Sequence, residues 1–429
     1  ASMDHTVADT FARMAASSML SESDSELVRE IRLAQGRLTS QIRETPCTQS
    51  ANLSELTQTQ LFLKLENLQR TGSFKERGAG NRLALLSAAE RAAGVVTASA
   101  GNHAQAVALH AQKLGVHATV VMPEATPLVK IQSTRRFGAE VSLFGRNYDE
   151  AEERARTMAS ERGLTYVHPF DDRFVIAGQG TLGFELIEQV PELDAVVVPV
   201  GGGGLIAGLA LAIKSVRPGV RIYGVESEAF PFMSQTLRQT APERIPIGKT
   251  IADGIAVRNI GKLTRDIVQR HVEDIVLVDE EEIAEAILLL LEQEKTVVEG
   301  AGAVGLAALV HRRLPVQGQA IAVILSGGNI DVSLMAKIIE RGLVKTGRLV
   351  RFEVYAPDVA GSLARVTDVV AQSRANIVAI HHDRAFAPNR IGEALIELVL
   401  ETFGFDHVQQ IRGALEQAGY RAHIGQAPM

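Results

Sequence analysis

Short apolar runs recur along the first 330 residues and alternate with segments whose apolar positions repeat at helical spacing. The runs predict β-strands at residues 61–65, 95–98, 117–122, 140–144, 195–200, 220–225 and 320–325. The helical segments include residues 104–114, 126–137, 148–162 and 283–291, and Gly115, Gly138 and Gly163 follow the first three as expected C′ residues. This alternation of strand and helix predicts an α/β fold with a parallel sheet.

The pattern changes after about residue 348. Val350, Phe352 and Val354 alternate with polar neighbours, as in a strand with one buried face. Helical spacing, two further strands, a second helix and a last strand at 420–424 follow, which gives the order βαββαβ of a ferredoxin-like domain. We therefore predict an extension at 1–25, a large α/β domain at 26–342, a linker at 343–348 and a small domain at 349–429.

Composition excludes several function classes. A net charge of −6 without a long Lys/Arg block argues against nucleic acid, and no stretch reaches the roughly 20 apolar residues of a membrane span. The N-terminus lacks the apolar core of a secretory signal. The single cysteine, Cys47, excludes an internal disulfide and fits a reducing, cytoplasmic location.

Candidate chemistry centres on residues 66–80, which read E-N-L-Q-R-T-G-S-F-K-E-R-G-A-G. Ser73 and Glu76 have the spacing of a capping box, which predicts a helix that runs through residue 89. Lys75 then lies in the first helical turn, at the end of a predicted strand. On its own, a helical lysine is most often a solvated surface residue.

This segment closely resembles the cofactor-lysine segment of threonine dehydratases (threonine ammonia-lyases), which are related to serine racemase. These are pyridoxal 5′-phosphate enzymes of fold type II, the tryptophan synthase β-like fold with two parallel-sheet subdomains. The resemblance implies that Lys75 forms the Schiff base with the cofactor and that Phe74 contacts it. It also implies a homodimer or homotetramer.

Gly201, Gly202, Gly203 and Gly204 lie between a predicted strand and a helix, where free N–H groups suit a phosphate. Two readings are open at this point. Gly202-x-Gly204-x-x-Ala207, followed by Glu226 at the end of the next strand, also fits a dinucleotide fingerprint and an NAD enzyme. The family resemblance instead assigns the four glycines to the phosphate of pyridoxal phosphate.

A second loop, from Ser99 through Ala100, Gly101 and Asn102 to His103, also follows a strand and opens a helix. The resemblance assigns this loop to the substrate carboxylate, and Asn102 to the 3′-oxygen of the cofactor. Related serine racemases carry a second serine at the position of Ala100. That serine reprotonates the α-carbon of the substrate from the opposite face. Its absence favours elimination over racemisation.

Ser326 ends the strand at 320–325, and the resemblance pairs its hydroxyl with the pyridine nitrogen of the cofactor. Three acids, Glu226, Asp253 and Glu299, match family positions without a settled role. Glu226 aligns with a ligand of a cation site in some relatives, but Phe232 replaces the aspartate expected beside it. A divalent site is therefore disfavoured, while a monovalent cation stays open.

The motif at 357–363 resembles that of ACT regulatory domains, which implies an amino-acid effector near Asp358 and Gly361. The sequence therefore predicts an enzyme that converts L-threonine to 2-oxobutanoate and ammonia, and also accepts L-serine. The alternatives are a serine racemase, a hydroxyaspartate dehydratase, an NAD enzyme and a non-catalytic amino-acid sensor.

Overall fold

A computed structural model describes residues 20–239, 249–384 and 391–425 of the 429-residue chain. These form two compact units, Ala1–Ile330 and Asp331–Met429. The strands of the first unit are β1 (Cys47–Gln49), β2 (Gln60–Lys64), β3 (Val95–Ala98), β4 (Ala118–Met122), β5 (Glu140–Leu143), β6 (Thr165–Tyr166), β7 (Ala195–Pro199), β8 (Arg221–Ser227), β9 (Asp274–Val278) and β10 (Ala320–Ile324).

The helices of the first unit alternate with these strands. They are α1 (Glu22–Leu38), α2 (Ala51–Thr57), α3 (Lys75–Ala84), α4 (Ala88–Ala93), α5 (Asn102–Leu114), α6 (Leu128–Arg135), α7 (Tyr148–Arg162), α8 (Arg173–Gln189), α9 (Gly204–Val216), α10 (Phe232–Arg238), α11 (Lys262–His271), α12 (Glu280–Glu294) and α13 (Gly300–Val310). Short 3-10 turns lie at Glu66–Leu68 and Asp253–Ile255. No helix among the described ranges is both long and apolar enough to cross a bilayer.

The first unit contains two sheets. The larger has the strand order β1-β2-β10-β7-β8-β9, and all its pairs are parallel except β1 with β2. The smaller has the order β5-β4-β3-β6 and is wholly parallel. The predicted parallel α/β fold is confirmed, and the carboxyl ends of the strands are where ligands bind in such sheets.

Helices cover the small sheet on both faces. Val95 and Val120 pack with residues of α3 and α5, whereas Val96 and Val121 pack with α7. Successive strand residues point to opposite faces, so a sheet covered on both sides needs an unbroken apolar run. This explains why β3 and β4 are buried at every position.

A buried ionic network fixes the helix that begins at Lys75. Arg77 of α3 contacts Glu66 at 2.8 Å and Glu185 at 2.6 Å, and Lys64 contacts Glu185 at 2.9 Å. Although burial opposes ionisation, Arg77 and Lys64 keep the pKa of Glu66 below its usual value. The network ties α3 to β2, to the 3-10 turn after it and to α8.

The second unit comprises α14 (Val332–Lys345), β11 (Leu349–Pro357), α15 (Ser362–Gln372), β12 (Asn376–Asp383), β13 (Glu393–Glu401), α16 (Phe405–Gln417) and β14 (Arg421–Ile424). Its antiparallel sheet has the order β12-β13-β11-β14, as in a ferredoxin-like fold. Phe352, Val354 and Val366 are buried in its core. The predicted order of elements is confirmed, and the ACT assignment stays a prediction.

Three predicted boundaries are wrong. Helix α1 begins at Glu22, where the Ser21 hydroxyl accepts the N–H of Asp24, so the extension does not run to residue 25, and residues 1–19 lie outside the described ranges. Helix α14 continues through Lys345, which places the first half of the predicted linker in a helix and assigns it to the second unit. Helix α3 ends at Ala84 rather than at residue 89.

The predicted capping box at Ser73 and Glu76 is also wrong. Ser73 forms an isolated β-bridge with Gly327, and its hydroxyl has no hydrogen-bond partner in the described structure. Glu76 accepts the backbone N–H of Thr71 instead. A true capping box occurs in the next helix, between Ser87 and Glu90.

Candidate active site

Lys75 is the first residue of α3, and its Nζ atom donates to the carbonyl oxygen of Pro169 at 2.8 Å. Burial lowers the pKa of Lys75 to about 8, and the charge of Glu299 acts in the opposite direction. A lysine with this pKa has a substantial neutral fraction near pH 8, and only the neutral amine is a nucleophile or a base.

The segment around Lys75 lies against the loop after β10. Phe74 donates its N–H to the Ser326 carbonyl oxygen at 3.0 Å, and Gly328 donates to the Gly72 carbonyl oxygen at 2.9 Å. Ser326 is buried there, with 3% of its surface exposed. The structure therefore brings Phe74, Lys75 and Ser326 together.

The four glycines of the loop 201–204 lie at the carboxyl end of β7 and lead into α9. Gly203 has a φ of +87°, which favours glycine. Among the described residues, no acceptor is recorded for the N–H groups of Gly201, Gly202, Gly203 and Gly204. Unpaired N–H groups at the start of a 13-residue helix make a site for an anion.

Phe170 explains why two of these positions have no side chain. A Cβ atom on Gly202 would lie 2.2 Å from the Phe170 ring, and one on Gly204 would lie 3.0 Å from Phe170 backbone and side-chain atoms. Phe170 directly follows Pro169, the acceptor of Lys75. The turn therefore connects the lysine to the glycine loop.

The turn itself is held by His168. Its Nδ1 atom accepts the N–H groups of Phe170 at 3.2 Å and Asp171 at 2.7 Å. Burial lowers the pKa of His168, which favours the neutral ring, and the two N–H donors show that Nδ1 is the accepting nitrogen. The position of Pro169 thus depends on a neutral histidine.

The loop 99–103 lies at the carboxyl end of β3 and leads into α5. The N–H of Gly101 donates to the Ser99 hydroxyl at 3.2 Å, and a Cβ atom on Gly101 would meet no heavy atom within 4 Å. Ala100 is half-buried against the core between α3 and α5. The loop leaves open space at the N-terminus of a 13-residue helix.

His103 is buried, and its Nε2 atom lies 3.1 Å from the Val167 carbonyl oxygen. Burial, reinforced by the charge of Lys75, lowers its pKa to about 3, so the ring is neutral. Its Nδ1 atom has no partner in the described structure. Only one of the two ring nitrogens of His103 therefore has a hydrogen-bond partner in the described structure.

Asn102 connects this loop with two others. Its Nδ2 donates to Glu299 Oε1 at 2.6 Å, and its Oδ1 accepts from Asn329 Nδ2 at 2.8 Å. Asn329 Nδ2 also donates to the Thr71 carbonyl oxygen at 2.6 Å. The loops that carry Lys75, Asn102 and Ser326 therefore meet at one place.

The three uncertain acids have different environments. Glu226 accepts the N–H groups of Met233 and Ser234 with its two oxygens, at 2.8 and 3.0 Å, so it caps the first turn of α10. Burial raises the pKa of Glu226 to about 7. Asp253 is exposed and pairs with Lys130 at 2.6 Å. Glu299 lies inside the site, where burial and then Asp253 raise its pKa to about 7.

These contacts bear on the predicted metal and dinucleotide sites. Each oxygen of Glu226 accepts one backbone N–H, so the side chain helps to fix the first turn of α10. The described residues contain no group of three or more His, Cys, Asp or Glu side chains that could hold a metal ion. The monovalent cation stays a prediction.

The residues present fit pyridoxal phosphate. The site offers a buried amine with a lowered pKa, a loop of unpaired N–H groups for the phosphate and the buried Ser326. The buried Ser73 hydroxyl, which lacks a partner in the described structure, lies in the lysine segment. An amine, an anion site and a hydroxyl are the groups that this cofactor requires.

The second unit has its own candidate residues. Gly361 precedes α15 with a φ of +84°, and Asp358 pairs with Arg384 at 2.9 Å. The Asp358 carboxylate is therefore already paired. Residues 385–390, which follow Arg384, lie outside the described ranges.

Sequence reasoning missed Pro169, Phe170 and the clustering of Glu299 with Asn329. The available signal was the position of His168-Pro169-Phe170 just after β6, since the carboxyl ends of parallel strands collect functional residues. The contact between Phe170 and the glycine loop joins segments about 30 residues apart, which local patterns do not reveal.

Three comparisons agree with this site. A model of the pyridoxal-phosphate dependent enzyme family matches residues 38–327. An L-threonine ammonia-lyase of Thermotoga maritima is 49% identical over 397 residues, which cover 92% of this chain and 99% of that protein. This match is longer than the first unit, so it extends into the second.

Two solved structures are also similar. The processed form of threonine deaminase isoform 2 from Solanum lycopersicum is 37% identical, has a TM-score of 0.71 and covers 75% of this chain and 88% of its own. Maize serine racemase is 34% identical, has a TM-score of 0.69 and covers 74% and 98%. The chain belongs to the pyridoxal-phosphate dependent enzymes, in the group that contains the threonine ammonia-lyases.

Proposed function

We propose that this protein is a threonine ammonia-lyase, which converts L-threonine to 2-oxobutanoate and ammonia and L-serine to pyruvate and ammonia. The observation that carries the reaction class is the buried Lys75 amine, placed where the 99–103, 201–204 and 326–329 loops converge. The substrate class is supported by the 49% identity with an L-threonine ammonia-lyase.

Lys75 would hold the cofactor until the amino group of the substrate replaces it, and the released Lys75 amine would then act as the base. Bound pyridoxal phosphate withdraws electrons from the α-carbon of the substrate. The neutral amine of Lys75 takes the α-proton, and the low pKa caused by its burial favours this role near pH 8. The protonated amine then returns a proton to the departing β-hydroxyl.

The 99–103 loop binds the substrate carboxylate. Its N–H groups lie at the start of α5, and no side chain blocks the space beside Gly101. Because His103 is neutral, the loop offers N–H groups to the carboxylate and no positively charged side chain. Binding of the carboxylate by this loop orients the α-hydrogen and the β-hydroxyl of the substrate toward Lys75.

The loss of water breaks the Cα–H and Cβ–O bonds and leaves an enamine. This product takes up water after its release and gives the 2-oxo acid and ammonia. Lys75 is therefore the only residue that the proposal requires to move a proton.

Among the alternatives, the NAD enzyme is disfavoured by the match to the pyridoxal-phosphate dependent enzymes. A non-catalytic sensor does not account for the Lys75 site. Serine racemase and hydroxyaspartate dehydratase share the fold, and the maize serine racemase is structurally similar. Ala100 favours elimination over racemisation at this position.

The proposal includes an amino-acid effector on the second unit, at the loop of Asp358 and Gly361 before α15. Isoleucine or valine is the effector class. Calorimetry of the full chain with either amino acid tests this part, and the absence of binding by every standard amino acid would contradict it. We also propose that the protein assembles as a homodimer or homotetramer and lies in the cytoplasm. Burial raises the pKa of the Cys47 thiol to about 11, which is compatible with that location.

The direct test incubates the purified protein with L-threonine and measures 2-oxobutanoate and ammonia in equal amounts. Lys75→Ala should abolish their formation, because the variant loses both the cofactor link and the base, and base catalysis alone contributes about 10²–10⁴-fold. Lys337→Ala, in the exposed part of α14, is the matched control and should keep parental activity. Near-parental turnover by Lys75→Ala would end the assignment.

A further inference from the structure

The side-chain amide of Asn102 is held at both ends, and its orientation is determined by a backbone carbonyl. The Thr71 carbonyl oxygen can only accept, so Asn329 must present its nitrogen there, at 2.6 Å. The same nitrogen lies 2.8 Å from Asn102 and can only donate, so Asn102 must present its oxygen to it. The Asn102 nitrogen therefore faces Glu299, which accepts at 2.6 Å.

The Glu299 side chain contacts Asn102 instead of capping the helix that it precedes. It occupies the N-cap position of α13, yet its side chain makes no capping hydrogen bond. Its side chain is 5% exposed and lies among Asn102, Gly254 and Gly327. Glu299 does not accept a backbone N–H of α13 and instead accepts from Asn102, which lies 197 positions away in the sequence.

Two glycines make room for these contacts. A Cβ atom on Gly327 would lie 2.3 Å from Glu299 Oε1, and one on Gly72 would lie 2.6 Å from Asn329 Oδ1. Real Cβ atoms do not come so close to another heavy atom. Side chains at these positions would displace Glu299 and Asn329. Glycine in the lysine segment and in the loop after β10 therefore leaves room for these two side chains.

We propose that Glu299 and Asn329 are positioning residues that hold the Asn102 amide in one orientation, so that it offers an N–H donor to bound pyridoxal phosphate. The inference rests on the proposed function, since it presumes that the cofactor binds here and that Asn102 contacts its anionic ring oxygen. The Asn102 nitrogen has two hydrogens, and Glu299 uses one. The other remains for the cofactor, and a hydrogen bond to an anion is stronger than a neutral one.

The test measures the dissociation constant of pyridoxal phosphate from apoenzyme by equilibrium dialysis. Glu299→Leu removes the acceptor and Asn329→Asp removes the donor, and each should weaken binding by about 3- to 10-fold. Glu299→Gln keeps an oxygen that accepts and should stay within about two-fold of the parent. Asn52→Asp, on exposed α2, is the matched control and should leave binding unchanged.

A double-mutant cycle separates positioning from a merely structural role. In the Asn102→Ala background, the group to be oriented is gone, so Asn329→Asp should have no further effect on the dissociation constant. Circular dichroism verifies that each variant is folded, and the Asn329→Asp and Glu299→Gln results decide the matter if Glu299→Leu does not fold. Parental affinity in Asn329→Asp, or the same loss with and without Asn102, would overturn the inference. A parent that binds no pyridoxal phosphate would instead refute the proposed function.

Discussion

The amine of Lys75 lies 2.8 Å from the carbonyl oxygen of Pro169, and this contact links two segments 94 residues apart. The next residue, Phe170, fills the space beside Gly202 and Gly204. The turn at 168–171 therefore sets the position of the amine relative to the loop proposed to hold the phosphate.

The lowered pKa of Lys75 predicts how cofactor capture depends on pH. Only the neutral amine attacks the aldehyde, so the rate of capture by apoenzyme should rise through about pH 8 and level off above about pH 9. Stopped-flow absorbance at a series of pH values measures this rate. A rate that keeps rising toward pH 10.5, as for an ordinary lysine, would contradict the burial of the amine.

Arg77→Met should lower the free energy of unfolding by about 3–5 kcal/mol, because Glu66 would remain buried without its main partner. Urea unfolding measures the loss. Adding Glu66→Gln to this variant removes the unpaired charge and should recover part of the stability. A loss below about 1 kcal/mol would show that the network contributes little to the position of α3.

Gly202→Ala should destabilise the protein by about 1–3 kcal/mol and weaken cofactor binding, since the added Cβ would meet the Phe170 ring. Gly219→Ala is the matched control, because a Cβ there would meet nothing within 4 Å and its φ is not in the left-handed region. Unfolding and equilibrium dialysis report the two effects. Equal results for both variants would show that Phe170 does not constrain the loop.

Ala100 predicts the stereochemical outcome. The parent should form no detectable D-serine from L-serine, and Ala100→Ser should gain at most a trace, because a hydroxyl is then available beside the substrate loop. Chiral chromatography measures the product. Ready racemisation by the parent would contradict the interpretation of this loop.

Much of the fold follows from local sequence pattern. The continuous apolar runs of β7 and β10 predicted buried strands, because a strand covered on both faces has no polar side. Helix α7 was predicted with its observed limits, Tyr148–Arg162, since Gly163 ends it in the left-handed region.

Other features depended on distant contacts and could not be predicted locally. Ser73 and Glu76 have the spacing of a capping box, yet the bridge from Ser73 to Gly327 and the N–H of Thr71 take over their roles. Gly72, Gly78 and Gly80 make room for the side chains of Asn329, Gln179 and His110, which come from other segments.

The most direct test of the central claim is to reduce the purified holoenzyme with borohydride and identify the modified residue by mass spectrometry. We expect a visible absorption band that reduction removes, and one pyridoxyl phosphate group attached to the peptide that contains Lys75. A protein with no such band after incubation with the cofactor, or a label attached to a lysine other than Lys75, would contradict it.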